Sequence, residues 1–409
     1  MPSNQDSPAA VRAIPSVPVL SLAAFAPRRR AALPALDEAP AVQMVSSGRI
    51  AIGMALRALG VGPGATVLVP AYHSPSMIPP VHWRGADVAF YRVHPDTSAD
   101  LDDIARKIAP GVKAIMVTHF FGFPQDLAAL RALCDAQGIG LIEDCAHAYF
   151  GRCGAVAVGA SGDYAVGSSM KFFPIYEGGC LVSHRHRLPG GLAGAGPGFE
   201  AKAALAALET SFARGRLPAL RVALALPLRL KTALWNRVKS RAADAGAGAG
   251  AGPALAPASS DSSFAFDPAW VDKRSSWFSR MVLRRAARGR IVQRRRANYL
   301  QLARDLAGAP GWRPLFATLP EGACPWVFPI LAEHPDRLCA GLEAAGVPMV
   351  RFGAVLWPGV DAAVCANSVE LGRRLVGLPC HQELGAAELA RMSAAVRAAL
   401  VAAVAVAAA

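Results

Sequence analysis

Lys171 sits in the run Gly162-Asp163-Tyr164-Ala165-Val166-Gly167-Ser168-Ser169-Met170-Lys171-Phe172-Phe173-Pro174. Glu177-Gly178-Gly179 closes this run before the apolar segment Cys180-Leu181-Val182. A lone lysine among small residues, with aromatics behind it and little charge nearby, has poor means of keeping an ammonium solvated. Desolvation disfavours the charged form and frees the amine as a nucleophile for carbonyl carbon, the start of Schiff-base chemistry. Taken alone, the same run also reads as a surface lysine before a loop.

Two further features bear on that choice. Ser46-Ser47-Gly48-Arg49 opens a stretch, Arg49 to Leu59, in which Ile52, Ala55, Leu56 and Leu59 share one face. That pattern predicts a helix with serine at its cap. The free N–H groups and positive dipole end of such a start attract an anion, and small side chains let a phosphate come close. An ordinary N-cap is the plainer reading of this piece. The apolar run Gly140-Leu141-Ile142 ends in Glu143-Asp144, followed by Cys145-Ala146-His147. Ligands of open parallel sheets bind beyond the carboxyl ends of the strands. A carboxylate there pairs with the protonated nitrogen of a heterocycle, or caps a helix. Phosphate cradle, strand-end carboxylate and isolated lysine, in that order, are what pyridoxal 5'-phosphate requires. The phosphate is anchored, Asp144 keeps the ring nitrogen protonated, and Lys171 holds the aldehyde.

The elements that must position these residues follow from periodicity. Short apolar runs at 66–70, 87–93, 113–118 and 139–143 predict strands; the stretches 49–59, 74–85, 101–108 and 125–137 between them predict helices. Alternation of apolar strands with helices predicts an α/β fold whose mostly parallel sheet is covered on both faces. Gly60, Gly62 and Gly64 follow a helix and open a strand, the reverse of a dinucleotide loop, so they form a connector. Beyond Ser183 the alternation stops. A helical stretch at 200–214, an apolar and basic stretch at 217–241 and an Ala-Gly repeat within 242–263 predict an insertion, residues 185–270, with a low-complexity linker. A long basic helix, Trp277 to Leu306, then leads to a smaller α+β unit, with strands at 326–331 and 348–350 and helices at 335–345 and 386–409. The expected division is an arm (1–40), a large cofactor-binding unit (41–184), the insertion (185–270) and a closing unit (271–409).

A chain of 409 residues exceeds one compact core, in keeping with that division. The net charge of +14 gathers between Arg214 and Arg241 and between Lys273 and Arg296. These stretches lack interleaved aromatics over most of their length, so nucleic acid is not the expected partner. Acidic small molecules such as nucleotide phosphates suit a local basic patch, and the 214–241 stretch also fits a peripheral membrane or partner contact. Eight cysteines without Cys-x-x-Cys pairs point to neither a zinc site nor a disulfide framework. The apolar run Val17 to Ala26 precedes Arg28-Arg29-Arg30, whereas a secretory signal carries its charge first. No stretch reaches the uninterrupted apolar length of a membrane span, and a cytoplasmic location is expected.

The motifs together resemble the DegT/DnrJ/EryC1/StrS family of sugar aminotransferases, over about 44–183 and again from about 277. They are Val69-Pro70, the segment 91–97, Thr118-His119-Phe120-Phe121-Gly122 with Pro124 and Asp126, Ile142-Glu143-Asp144-Cys145-Ala146-His147, the lysine segment with Gly178-Gly179, and Leu378-Pro379-Cys380-His381-Gln382 with Leu384. The resemblance implies the pyridoxal-phosphate-dependent transferase fold of type I and amino transfer, with glutamate as donor, to a keto group of a nucleotide-linked sugar for polysaccharide or glycoconjugate synthesis. It implies Lys171 as the cofactor-bonded lysine and proton carrier, Asp144 at the ring nitrogen, and His147 beside the ring or its hydroxyl. Ser47, Gly48, Arg49 and Ser168 would hold the phosphate. It also implies a homodimer. The family's stacking aromatic is replaced by Ser74, leaving Tyr72 or His73 to take its place. The family's asparagine that reaches the partner's phosphate is missing from 271–281, where either Lys273, Arg274 or Ser276 would substitute or the basic residues would bind a nucleotide diphosphate. The alternatives are a sugar dehydratase, whose family members replace the lysine by histidine, or another carbonyl-modifying relative, and a non-catalytic relative that binds a partner or nucleic acid through its basic insertion.

Overall fold

Short apolar strands dominate the first half of the chain, and the computed structural model describes residues 13–25, 32–188, 190–225 and 264–408. In chain order they form β1 (Ala41–Val45), α1 (Gly48–Ala58), β2 (Thr66–Pro70), α2 (Pro79–Trp83), β3 (Asp87–Tyr91), α3 (Leu101–Lys107), β4 (Val112–Thr118), α4 (Ala128–Gln137) and β5 (Gly140–Asp144). A two-residue hairpin follows, β6 (Arg152–Cys153) with β7 (Val156–Ala157), and then β8 (Tyr164–Gly167) and β9 (Gly179–Ser183). Seven strands make one sheet in the order β1-β9-β8-β5-β4-β2-β3. The pairs from β3 to β8 are parallel, and β9 returns antiparallel between β8 and β1. Residues such as Leu68, Val69, Ile115, Val117, Leu141 and Ile142 are fully buried because helices cover both faces.

The remaining helices are α5 (Pro197–Ala213), α6 (Pro218–Ala223), α7 (Trp277–Arg285) and α8 (Arg288–Leu306). A second, antiparallel sheet is built from β10 (Trp312–Pro314), β11 (Val327–Ala332) and β12 (Leu375–Pro379), with α9 (Pro335–Ala344), α10 (Ala362–Arg374) and α11 (Ala386–Ala408) around it.

Several expectations change. The helix expected at 74–85 divides into a 3-10 turn, Pro75–Met77, and the short α2, because Pro79 and Pro80 cannot supply amide hydrogens to the turn before them. The long basic helix breaks at Ala286-Ala287, where Ala286 adopts extended angles and the Ala287 amide donates to Ala24 O at 2.8 Å. The segment 348–350 is no strand; Val350 makes a single bridge to Gly377. Contrary to the expectation about membrane spans, Ala386–Val406 is long and apolar enough to cross one, with a mean hydropathy of 1.7. Its Leu389, Met392, Val396 and Leu400 are buried at helical spacing in the main core, the pattern of a core helix. Residues 226–241 and the Ala-Gly repeat lie outside the described residues. Of the basic stretch before them, Arg214 donates to Ile14 O and Arg216 pairs with Glu388.

Candidate active site

At the end of β5, strand alternation sends Glu143 and Asp144 to opposite faces of the sheet. The Glu143 carboxylate meets His119 Nε2 at 2.9 Å and accepts from the amides of Gly159, Ser161 and Gly162. Burial pushes this carboxyl up, yet His119 and those amides hold it below the usual range. It pins the loop that feeds β8. His119, Glu143 and Cys145 bring their donor atoms within 4.8 Å of one another, but the N–H donors already fill the carboxylate. Asp144 is buried on the other face. Its Oδ1 accepts from Ala146 N at 2.9 Å and its Oδ2 from Thr118 Oγ1 at 3.4 Å. Burial raises its pKa, opposed by the Ala146 amide and the Lys171 charge.

Parallel pairing of β5 with β8 places Asp144 beside Val166, so the chain leaving β8 emerges at the same sheet edge. The run read as a small-residue loop is therefore partly a strand. Lys171 follows in a 3-10 turn, Ser169–Lys171, with its amide donating to Ser168 O at 3.2 Å. Its Nζ stands 4.5 Å from the centre of the Trp326 ring. Burial lowers its pKa to about 8; Asp144 opposes that shift and Arg49 adds to it.

The third part is the start of α1. Ser47 caps it, Oγ accepting from Ile50 N at 3.3 Å. This start rests directly on β9: a Cβ on Gly179 would lie 2.2 Å from the Ser47 carbonyl carbon and 2.5 Å from Gly48 N. Glycine is required there by close approach of two backbones.

A cavity of about 760 Å³ gathers Ser47, Gly48, Arg49, Asp144, His147, Ser168 and Lys171. His147 is buried and stacks on Trp326 at 4.0 Å, and burial holds its pKa well below the ordinary value, leaving a neutral imidazole. The Arg49 guanidinium also donates to Ala265 O.

Tyr72 and His73, expected at the cofactor ring, are absent from the cavity wall and must be corrected. Both are fully buried. Tyr72 donates to Phe352 O at 2.9 Å and packs on Phe120 and Phe352. His73 stacks on Phe90, its Nδ1 lies near the Pro70 and Ala71 carbonyls, and its Nε2 accepts from Trp357 N. Ser74 lines the cavity instead, with Ser76 and Met77. Lys273, Arg274 and Ser276, expected to reach a partner's site and not this one, do not line the cavity. Lys273 lies over Trp270, Arg274 bridges to Val45, and Ser276 donates to Glu177. Sequence reasoning missed Trp326, Phe352, Met349 and the arm residues Ser16 to Pro18, all in the wall. None carries a chemical signature in sequence; Trp326 and Met349 fall within the strands expected at 326–331 and 348–350, where an apolar side chain reads as core.

A weakly basic amine, a buried carboxylate and a helix start facing one cavity are the donor set for an aromatic aldehyde bearing a phosphate, and the residues fit such a group. Among known proteins, residues 31–189 match the DegT/DnrJ/EryC1/StrS aminotransferase family. GDP-perosamine synthase of Vibrio cholerae is 34% identical over 143 residues, 34% of this chain and 39% of that protein. A dTDP-3-amino-3,4,6-trideoxy-alpha-D-glucose transaminase of Streptomyces venezuelae is 35% identical over 141 residues, 34% of this chain and 36% of that protein. The matched segment thus spans about two fifths of these relatives' length. The solved aminotransferase TlmJ from Streptoalloteichus hindustanus shares the fold, with a TM-score of 0.59 and 22% identity over 88% of this chain and 86% of that one.

Proposed function

From the match of residues 31–189 to the DegT/DnrJ/EryC1/StrS aminotransferase family, we propose that the protein is a pyridoxal-phosphate-dependent aminotransferase acting on a keto group of a nucleotide-linked sugar. The observation that carries the reading is the meeting of Lys171, Asp144 and the start of α1 on one cavity, with the lysine lowered to about 8. When bound, pyridoxal phosphate supplies an aldehyde for amines and a protonated ring that withdraws electrons from the bond being broken.

The chain's own residues do the rest. The helix start at Ser47-Gly48-Arg49 and the Ser168 hydroxyl hold the phosphate. Asp144 holds the proton at the ring nitrogen; pairing with that cation offsets the burial that otherwise raises its pKa. Lys171 Nζ, with a substantial neutral fraction just above neutrality, takes a proton from one carbon and returns it to the other. Neutral His147 offers a hydrogen bond at the ring's edge, and the Trp326 ring packs against Nζ of the lysine. Glutamate is the proposed donor, the cytoplasm the proposed location, a homodimer the proposed assembly, and polysaccharide synthesis the proposed setting. The four-part division belongs to the same reading, supported by a first sheet within 41–184 and a second within 271–409. The dehydratase alternative finds no support in a lysine at position 171.

The test is direct. Purified protein given pyridoxal phosphate and then borohydride should carry the reduced cofactor's mass on Lys171, and glutamate with nucleotide keto-sugars should yield 2-oxoglutarate. Mass on another residue, or no 2-oxoglutarate across the panel, would overturn the reading.

A further inference from the structure

Arg295, on α8, is fully buried and has the largest side chain among the fully buried residues. Among the described residues no carboxylate lies within ion-pair distance of it. Its donors go to neutral acceptors: Nη2 to Lys171 O at 2.7 Å, Nη1 to Pro325 O and Trp326 O at 3.1 Å each, and Nε to Gln382 Oε1 at 2.9 Å. Gln382 completes the frame by donating from Nε2 to Phe172 O at 2.7 Å. The guanidinium also lies 4.4 Å from the centre of the Phe172 ring.

A buried guanidinium is costly to desolvate, and a stabilising brace alone would be served as well by apolar packing. What this one does is specific to its five-donor fork. It joins the backbone of Lys171, in the turn after β8 of the large sheet, to the backbone of Trp326, just before β11 in the second sheet. These are the lysine and the ring over which its Nζ stands.

We propose that Arg295, supported by Gln382, is a positioning residue that fixes Lys171 against Trp326, and this rests on the reading of Lys171 as the reactive amine. Held there, Nζ stays against the ring at the wall of the cavity. The groups that face it are Asp144 at the end of β5, Arg49 at the start of α1, neutral His147 in the turn after β5, and the Trp326 ring. Arg295 is not among the charges that move the Lys171 pKa, so its influence is geometric. Released from the frame, the lysine reaches solvent and titrates closer to an ordinary amine.

The experiment follows the pH dependence of Lys171 reductive methylation by formaldehyde and cyanoborohydride, read by mass spectrometry on cofactor-free protein. The wild type should show a midpoint near 8. Arg295→Gln and Gln382→Leu should each raise it by about one unit. Arg295→Lys keeps a charge without the fork and should fail to restore the wild-type midpoint. Gln382→Leu keeps the proposal testable if the arginine variant does not fold. Lowered melting temperatures with the midpoint unmoved would reduce Arg295 to a brace and overturn the proposal, as would a wild-type midpoint in Arg295→Lys. A wild type that is never modified by pyridoxal phosphate at Lys171 would instead overturn the reading beneath it.

Discussion

Lys171 meets influences of opposite sign: burial and Arg49 lower its pKa, and Asp144 raises it. Burial wins, which makes the amine useful and the fold weaker. Below about pH 8 folded and unfolded chains both carry the charge, and the folded chain bears the whole cost of burying it. Between about 8 and 10.5 the folded chain sheds the proton first, so stability rises with pH; above 10.5 the cost is gone. Lys171→Met should therefore abolish transamination yet stabilise the cofactor-free protein at pH 7 by about 1–3 kcal/mol. The gain should shrink as pH passes from about 8 to 10.5. Urea unfolding at several pH values checks this, and a variant less stable than wild type at pH 7 would refute it. Residues of this kind were legible because chemistry narrows them: few side chains serve as a buried amine or a strand-end acid. Trp326 and Met349 were not, since an apolar wall residue looks in sequence like any core residue. Tyr72 and His73, taken from the resemblance as substitutes for the aromatic that Ser74 replaces, lie in the core because a neighbour in sequence does not inherit the direction in which position 74 faces.

At the scale of elements, the anion site depends on a seat for α1 as much as on α1 itself. Gly179 provides that seat, and Gly48 faces Gly167 O across the same junction, where an added Cβ would lie 3.3 Å away. Gly179→Ala should push the helix start off β9 and turn its N–H groups from the cavity. Pyridoxal phosphate affinity should then fall at least about tenfold, near 1.4 kcal/mol, with helix content by circular dichroism retained. An unchanged dissociation constant by absorbance titration would rule that out. Apart from the divided helix at 74–85, the strands and helices from 48 to 144 were readable because each carries its own period and its own turn residues. β8 was not, because Tyr164 to Gly167 has no strand pattern of its own. It becomes a strand through its neighbours, β5 and β9, which supply ladders on both sides. The break between α7 and α8 has a similar origin: the arm's Ala24 carbonyl, distant in sequence, takes the Ala287 amide.

On the scale of the molecule, the cavity is closed by segments that belong to neither sheet. The arm threads between the insertion helix and the second sheet. Leu20 N donates to Ser211 Oγ at 2.8 Å, Arg214 donates to Ile14 O at 3.1 Å, and His381 Nε2 meets Pro15 O at 3.0 Å. Ile14, Val19 and Leu20 are buried, while Ser16, Val17 and Pro18 face the cavity, with Phe264 from the end of the insertion also in its wall. Three buried aliphatic side chains contribute on the order of 5 kcal/mol, an upper bound because the free arm would already hide part of its surface. Removing residues 1–25 should therefore lower the melting temperature by several degrees and open one wall of the cavity to water. The two effects separate in measurement. Val17→Gly leaves the buried anchors in place, so it should speed loss of pyridoxal phosphate on dilution while hardly moving the melting temperature. The truncation should do both. If the truncated protein releases cofactor at the wild-type rate, the arm closes nothing and serves only to hold the insertion helix against the second sheet.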